Sequence, residues 1–296
     1  MHTKEDKLRA GKLARETLDY GLTLIKPGAS YLAVYKAIIQ KIHDLGAKPA
    51  FPPQMACDDV AAHYIPGLNE DIIFDKQLVS LDVGVCVNGA IGDCACSIDL
   101  SGKHEKLLVA VDDVLKQAIS HIKVGVTLGE IGQIIDQTAA KYGFMAIRNL
   151  SGHGLGHNQV HTPPNIPNYN NHSQITITND MHFAIEPFIT TGCGTIYDAG
   201  NPQIFSFVQK KPVRSLFARE LLKHIKQFET LPFSIQDIAH TMPAAKLQLA
   251  LRELLQAGIL QGHAPLIEQE HGIVAQKEHT IYVDESGVVH VTTDSK

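Results

Sequence analysis

Five side chains able to hold a metal ion stand in largely apolar surroundings far apart along the chain: Asp82 and Asp93 on one predicted hairpin, His153 in SGHGLGH, Glu186 in FAIEPF and Glu278 in AQKEHT. Four carboxylates and one imidazole make an oxygen-rich donor set suited to two divalent ions that activate water. LVSLDVGVCVNGAIGDCACSIDL alternates apolar and other residues around Asn88-Gly89, the strongest short signal for a two-residue hairpin turn. That turn sets Asp93 opposite Gly84, with Asp82 two residues further along the same face, roughly 7–8 Å away at the backbone. Taken alone, the pair fits two solvent-facing aspartates as well as a metal site. Cys86, Ile91 and Ala95 on the same face predict burial, and carboxylates buried together are expected to take up a proton or a cation. Gly84, without a side chain, is read as open space for such a cation.

The histidines of SGHGLGHNQVH fall at 153, 157 and 161, which on a helix would stack three imidazoles. Gly152, Gly154 and Gly156 argue against a helix, each costing up to about 1 kcal/mol in its interior. A loop or strand edge is predicted, with the glycines letting the backbone approach a ligand closely, and His157 is not assigned as a ligand. Glu186 and Glu278 each interrupt an apolar, strand-like run, where a glutamate is rarely buried unless paired or metal-bound.

Elements able to position these groups follow from an internal similarity. IKPGASYLAVYKAIIQKIHDLG from Ile25 aligns with IKVGVTLGEIGQIIDQTAAKYG from Ile122, matching Gly28 with Gly125, Ser30 with Thr127, Gln40 with Gln137 and Gly46 with Gly143. Each copy has a Ser or Thr at a helix N-cap and a glycine as C-terminal stop. With preceding helices at about 4–23 and 105–121 and β-rich sequence after each copy, two helix-helix-sheet units related by a pseudo-two-fold axis are predicted. The fold class is α/β (α+β), with the catalytic domain over 1–211 and 275–296. Residues 212–274 read as a helical insertion with a small hairpin, winged-helix-like in outline.

The chain has 296 residues, 44% of them hydrophobic, and a net charge of −5, so it can bury a substantial core and has no basic field for nucleic acid or anionic membrane. The basic cluster on the insertion's first helix is matched by acidic residues and is read as a solvated face. Five cysteines without zinc-ribbon spacing point to reduced thiols, and the charged first residues lack the apolar run of a secretory signal. A cytoplasmic protein is expected.

GAKPAFP, AAHYIP, LDVG, GDCACS, NLSGHG, FAIEPF, LPF and GIVAQKEHT, in that order, give the chain a pattern that resembles methionine aminopeptidases of type 2, in their short archaeal-like form. The resemblance implies the pita-bread fold, and the insertion between the last two glutamate motifs is the type 2 mark. It implies two divalent ions (Co, Mn, Fe or Zn): Asp82 on one, His153 and Glu186 on the other, Asp93 and Glu278 bridging. It further implies that Glu186 shuttles the proton, that His63 and His161 are catalytic residues that bind substrate and steady the tetrahedral intermediate, and that Phe51 and Val160 line the methionine slot. Implied partners are N-terminal Met peptides and nascent chains, with the ribosome as a further candidate and no direct DNA or membrane partner. Departures are Cys94 and Cys96 beside Asp93, Lys277 in place of an aromatic, and His263 in place of a tyrosine at the pocket mouth. Two rival readings are a proline-directed dipeptidase or aminopeptidase on the same fold, and a non-catalytic relative that binds nucleic acid or ribosomes. The five ligands count against the second; the insertion and Phe51 count against the first.

Overall fold

A computed structural model describes residues 2–294. Helices α1 (Lys4–Leu24) and α2 (Tyr31–Asp44) cover one face of a sheet whose centre is the Leu78–Val87 and Ala90–Asp99 hairpin. Helices α3 (Glu105–Ser120) and α4 (Leu128–Lys141) cover a second sheet in the same way. That sheet is antiparallel, in the order Val289–Val291, His279–Val283, Met181–Ile185, Ser151–Gly156, Gln159–Pro167. The two helix-helix-sheet units form the mixed α/β, pita-bread architecture expected from the sequence.

The repeated helix signals act where they were read. Ser30 accepts the Ala33 N–H at the start of α2, and Thr127 closes a capping box with Glu130 at the start of α4. A cap of this kind contributes about 1 kcal/mol. Gly46 and Gly143 follow α2 and α4 at φ +71° and +83°, a left-handed turn that an L side chain resists. The amphipathic helices then bury Val34, Ile38 and Ile42 in one core and Leu128, Ile131 and Ile135 in the other.

A third core is built by α5 (Leu216–Ile225), α6 (Ile235–Ile238) and α7 (Ala244–Gln256) against a small sheet. The hairpin expected inside the insertion is corrected here. Leu260–His263 pairs not with the following strand but with Ile204–Phe207, which also pairs with Phe233–Ser234. Leu266–Glu268 instead joins Ile196–Asp198 and Val60–Ala62. The reason is local: α7 delivers the chain directly to the free edge of the Ile204–Phe207 strand, whose Phe205 is buried among the helix residues. No helix among the described residues is long and apolar enough to cross a membrane.

Candidate functional site

The hairpin register is the one the turn dictates. Gly84 pairs with Asp93 and Asp82 with Ala95. The strand leading from Glu278 then crosses this hairpin: the Glu278 N–H donates to the Ala95 carbonyl at 3.0 Å, and the Thr280 hydroxyl bonds both the N–H and the carbonyl of Asp93 at 2.7 Å. These bonds fix Asp82, Asp93 and Glu278 on one face. From the second sheet, His153 pairs with Ala184, so Glu186 two residues on lies diagonal to it. His153 Nε2 stands 3.4 Å from Glu186 Oε1 and 3.8 Å from Asp93 Oδ2. All five residues line one cavity of about 200 Å³, and donor atoms of Asp93, His153 and Glu278 lie within 4.8 Å of one another.

Whether these residues fit a cation is answered by what they lack. Asp82 Oδ1, Asp93 Oδ1 and Glu278 Oε2 are buried with no hydrogen-bond partner among the described residues. Orphaned carboxylate oxygens at such depth cost several kcal/mol if charged and alone. Burial pushes Asp82 up to about 7, against a hydrogen bond from Gln276 that favours its charged form. Burial, then the neighbouring carboxylates, push Asp93, Glu186 and Glu278 well above the usual carboxylate range. Burial also lowers His153 to about 3, keeping a neutral imidazole lone pair available. Uncompensated acceptors facing one another beside a neutral imidazole are what divalent cations require, so the donor set fits them.

Around the acidic floor stand the remaining expected residues. His161 packs edge-on against His153 with ring centroids 4.2 Å apart. His63 is held at φ +61°, its N–H bonded to Gln54 Oε1 at 2.6 Å, and faces His263 with ring centroids 5.5 Å apart. Burial lowers His63 and His161 to about 4, so both are neutral at ordinary pH. Phe51 and Val160 form part of an apolar wall with Ile91, Leu155 and Leu231.

Two readings of glycine change. The space above Gly84 is not open to an ion: a Cβ there would meet the Phe51 ring at 2.2 Å, so the missing side chain seats an aromatic wall of the cavity. The strand Ser151–Gly156 is confirmed as non-helical, but Gly152 and Gly154 admit neighbouring backbone rather than a ligand: their Cβ atoms would meet the Ala184 and Pro163 carbonyl oxygens at 2.3 and 2.5 Å. Sequence reasoning passed over Gln276, buried with Nε2 3.5 Å from Glu186 Oε2, and Thr280, which ties Asp93 to the Glu278 strand. Their alternation with Glu278 at 276, 278 and 280 was the available signal. It also settles two departures. Lys277 turns away to Asp112 at 2.7 Å and Cys96 at 3.4 Å, and Cys94 is buried in the first core.

Comparison with known proteins adds four findings. Residues 7–285 match the description Metallopeptidase family M24. The sequence is 38% identical over 293 residues to a methionine aminopeptidase of Pyrococcus abyssi, covering 98% of this chain and 99% of that protein. Among solved structures, a methionine aminopeptidase from Thermotoga maritima shares the fold at TM-score 0.71 and 22% identity, covering 99% and 98% of the two chains. A prolidase from Pyrococcus furiosus shares it at TM-score 0.63 and 17% identity, and there this chain spans only 66% of the other.

Proposed function

This chain belongs to metallopeptidase family M24, and from that premise we propose that it is a methionine aminopeptidase of type 2 in the short form, acting on N-terminal methionine before a small second residue. The observation that carries the reading is the closing of four carboxylates and one imidazole, with three orphaned buried oxygens, onto the floor of a cavity that Phe51 and Val160 wall in part. Asp82, Asp93, His153, Glu186 and Glu278 would hold two divalent ions, with Asp93 and Glu278 shared, and the set would accept Mn, Fe, Co or Zn. Bound there, such ions supply Lewis acidity and water activation.

The chain's own residues divide the rest of the work. Phe51 and Val160 give an apolar slot that accepts the methionine side chain and excludes a charged one. Glu186 presents Oε1 toward His153 and Oε2 toward Gln276, in position to take a proton from the attacking water and pass it to the leaving amine. His63 and His161, neutral and able to donate one N–H each, hydrogen-bond the carbonyl oxygen as negative charge gathers on it.

Residues 212–274 form the insertion that separates type 2 members, completed by the Ile204–Phe207 strand lent from the catalytic domain. The cytoplasm is the proposed location and nascent chains the proposed substrates, with the ribosome a candidate partner of the same role. A prolidase reading fits less well, because the sequence is 38% identical to the Pyrococcus abyssi methionine aminopeptidase but 17% identical to the Pyrococcus furiosus prolidase. The test strips metal with a chelator, restores Mn, Fe, Co or Zn singly, and compares Met-Ala-Ser with Ala-Pro and Xaa-Pro peptides. Metal-restored release of methionine from Met-Ala-Ser is the expected outcome. Cleavage of Xaa-Pro peptides alone would transfer the chain to the prolidase group, and no cleavage with any ion would favour a binding role.

A further inference from the structure

The larger of the two cavities that Phe51 borders lies where the insertion meets the catalytic domain. One wall is α2, which presents Tyr35, Lys36 and Ile39, and another is the 227–240 segment of the insertion. Its volume is about 700 Å³, against about 200 Å³ for the carboxylate cavity, and Phe51 and Pro232 stand in the walls of both. Pockets of about 300–1,000 Å³ at such junctions, mostly apolar with a few placed polar groups, are the usual form of a small-molecule site.

The walls are fixed without a ligand. The Tyr35 hydroxyl donates to Asp237 Oδ1 at 2.6 Å and lies 2.9 Å from Ser234 Oγ, which ties α2 to the start of α6. Gln236 Nε2 donates to the carbonyls of Pro66 at 2.8 Å and Gly67 at 3.2 Å, so the insertion is bonded to the catalytic domain at a second point. Walls already bonded together leave a ligand little ordering to impose.

The lining is apolar with a cationic edge. Ile39, Pro52, Phe228, Leu231 and Pro232 join Phe51 in the apolar part, whereas Lys36 and Lys48 bring two ammoniums. Both lysines are exposed, and neither forms an ion pair or a hydrogen bond among the described residues. Asp71, which feels Lys36, is already held by the Ser30 hydroxyl and the Leu32 N–H. The carboxylate in the lining, Asp237, is likewise occupied: besides Tyr35 it accepts the Ser234 N–H and hydroxyl at 2.7 and 2.9 Å. His43 and His240 complete the titratable groups that face the cavity. Two cations without carboxylate partners, at the edge of an apolar hollow, complement a ligand with one anionic and one apolar end. We propose that this cavity binds a small amphipathic carboxylate, its chain against Ile39, Phe51 and Phe228 and its head on Lys36 and Lys48.

The site does not depend on peptide cleavage, and the experiment reads binding alone. Isothermal titration of the full, metal-loaded chain with decanoate should show one saturable site. Acetate, which lacks the chain, and decylamine, which reverses the charge, should bind far more weakly. A hydrogen bond to a charged group carries roughly tenfold in affinity, so Lys36→Gln with Lys48→Gln should weaken decanoate by roughly 10- to 100-fold. Both positions are exposed and outside the carboxylate cavity, so the double variant should keep the parent's melting temperature. Removing metal with a chelator should leave decanoate affinity unchanged, whereas a head seated on ions at the carboxylate floor would be released with them. No saturable binding, equal affinity in the parent and the double variant, decylamine or acetate binding as tightly as decanoate, or binding lost with the metal each overturns the proposal.

Discussion

Placing a methyl group on Gly84 tests how the apolar slot is built. The strand backbone there accepts alanine, and the obstruction is entirely the Phe51 ring, whose Cε1, Cδ1 and Cζ would stand 2.2, 2.6 and 2.8 Å from the new Cβ. Ordinary carbon contacts need about 3.5–4.0 Å, so the ring must withdraw by on the order of 1 Å or more. Behind it Ala50, Cys86, Ile91, Leu155, Val160 and Leu231 are all buried, and the ring borders the carboxylate cavity on one side and a second cavity lined by Pro52, Leu231 and Pro232 on the other. Overpacking of this kind costs about 1–3 kcal/mol. Gly84→Ala should therefore lower unfolding stability by that amount and displace Phe51 from the wall of the proposed methionine slot. A shift of about 1 Å in a positioning group costs up to 100-fold, so kcat/KM on Met-Ala-Ser should fall by about 10- to 100-fold while the content of bound metal stays unchanged. Phe51→Leu in the same chain should recover part of the stability. Urea unfolding and steady-state kinetics read both effects. If Gly84→Ala leaves stability and KM unaltered, the ring does not stand where the slot argument needs it.

Glu186→Gln should retain peptide binding while kcat falls by about 100- to 10,000-fold, the range for loss of a general acid-base group, and near-normal turnover would remove its proton-transfer role. Asp284 accepts from Lys4, His290 and Ser286, and those bonds hold its carboxyl below the ordinary 3.8, so its stabilisation is present above that pH and fades as the pH falls. Asp284→Asn should accordingly lower the melting temperature at pH 7, with the gap from the parent narrowing below pH 4; a gap independent of pH would refute the linkage. Burial pushes the Cys57 thiol up to about 12, so at pH 8 it should alkylate far more slowly in the folded chain than in urea, which mass spectrometry of the labelled peptides can follow.

The parts of this molecule that were legible in sequence are those fixed by neighbours. Asn88-Gly89 alone set the pairing of Gly84 with Asp93, because a two-residue turn permits one register. Ser30, Thr127, Gly46 and Gly143 marked helix ends through bonds and torsions spanning a few residues. The glutamates at 186 and 278 stood out because charge inside an apolar strand needs a partner. What stayed hidden depends on contacts between distant segments. Phe51 seated on Gly84, Thr280 bonded to Asp93, and Leu260–His263 paired with Ile204–Phe207 each join residues more than thirty positions apart, and alternation or capping carries no record of which edge meets which.

The position of the site follows from that same division. Asp82 and Asp93 come from the sheet of the first half, and His153 and Glu186 from the sheet of the second. Glu278 belongs to the crossing segment, bonded to Ala95 on one side and running into His279–Val283 on the other. Neither half alone collects enough ligands to compensate its buried carboxylates, so each sheet leaves its acidic residues in deficit until the two are pressed together. The stability of the junction and the readiness of the site to take cations then have one origin, and weakening the contact between the sheets, as Thr280→Val would by removing both bonds to Asp93, should reduce metal retention and unfolding stability together.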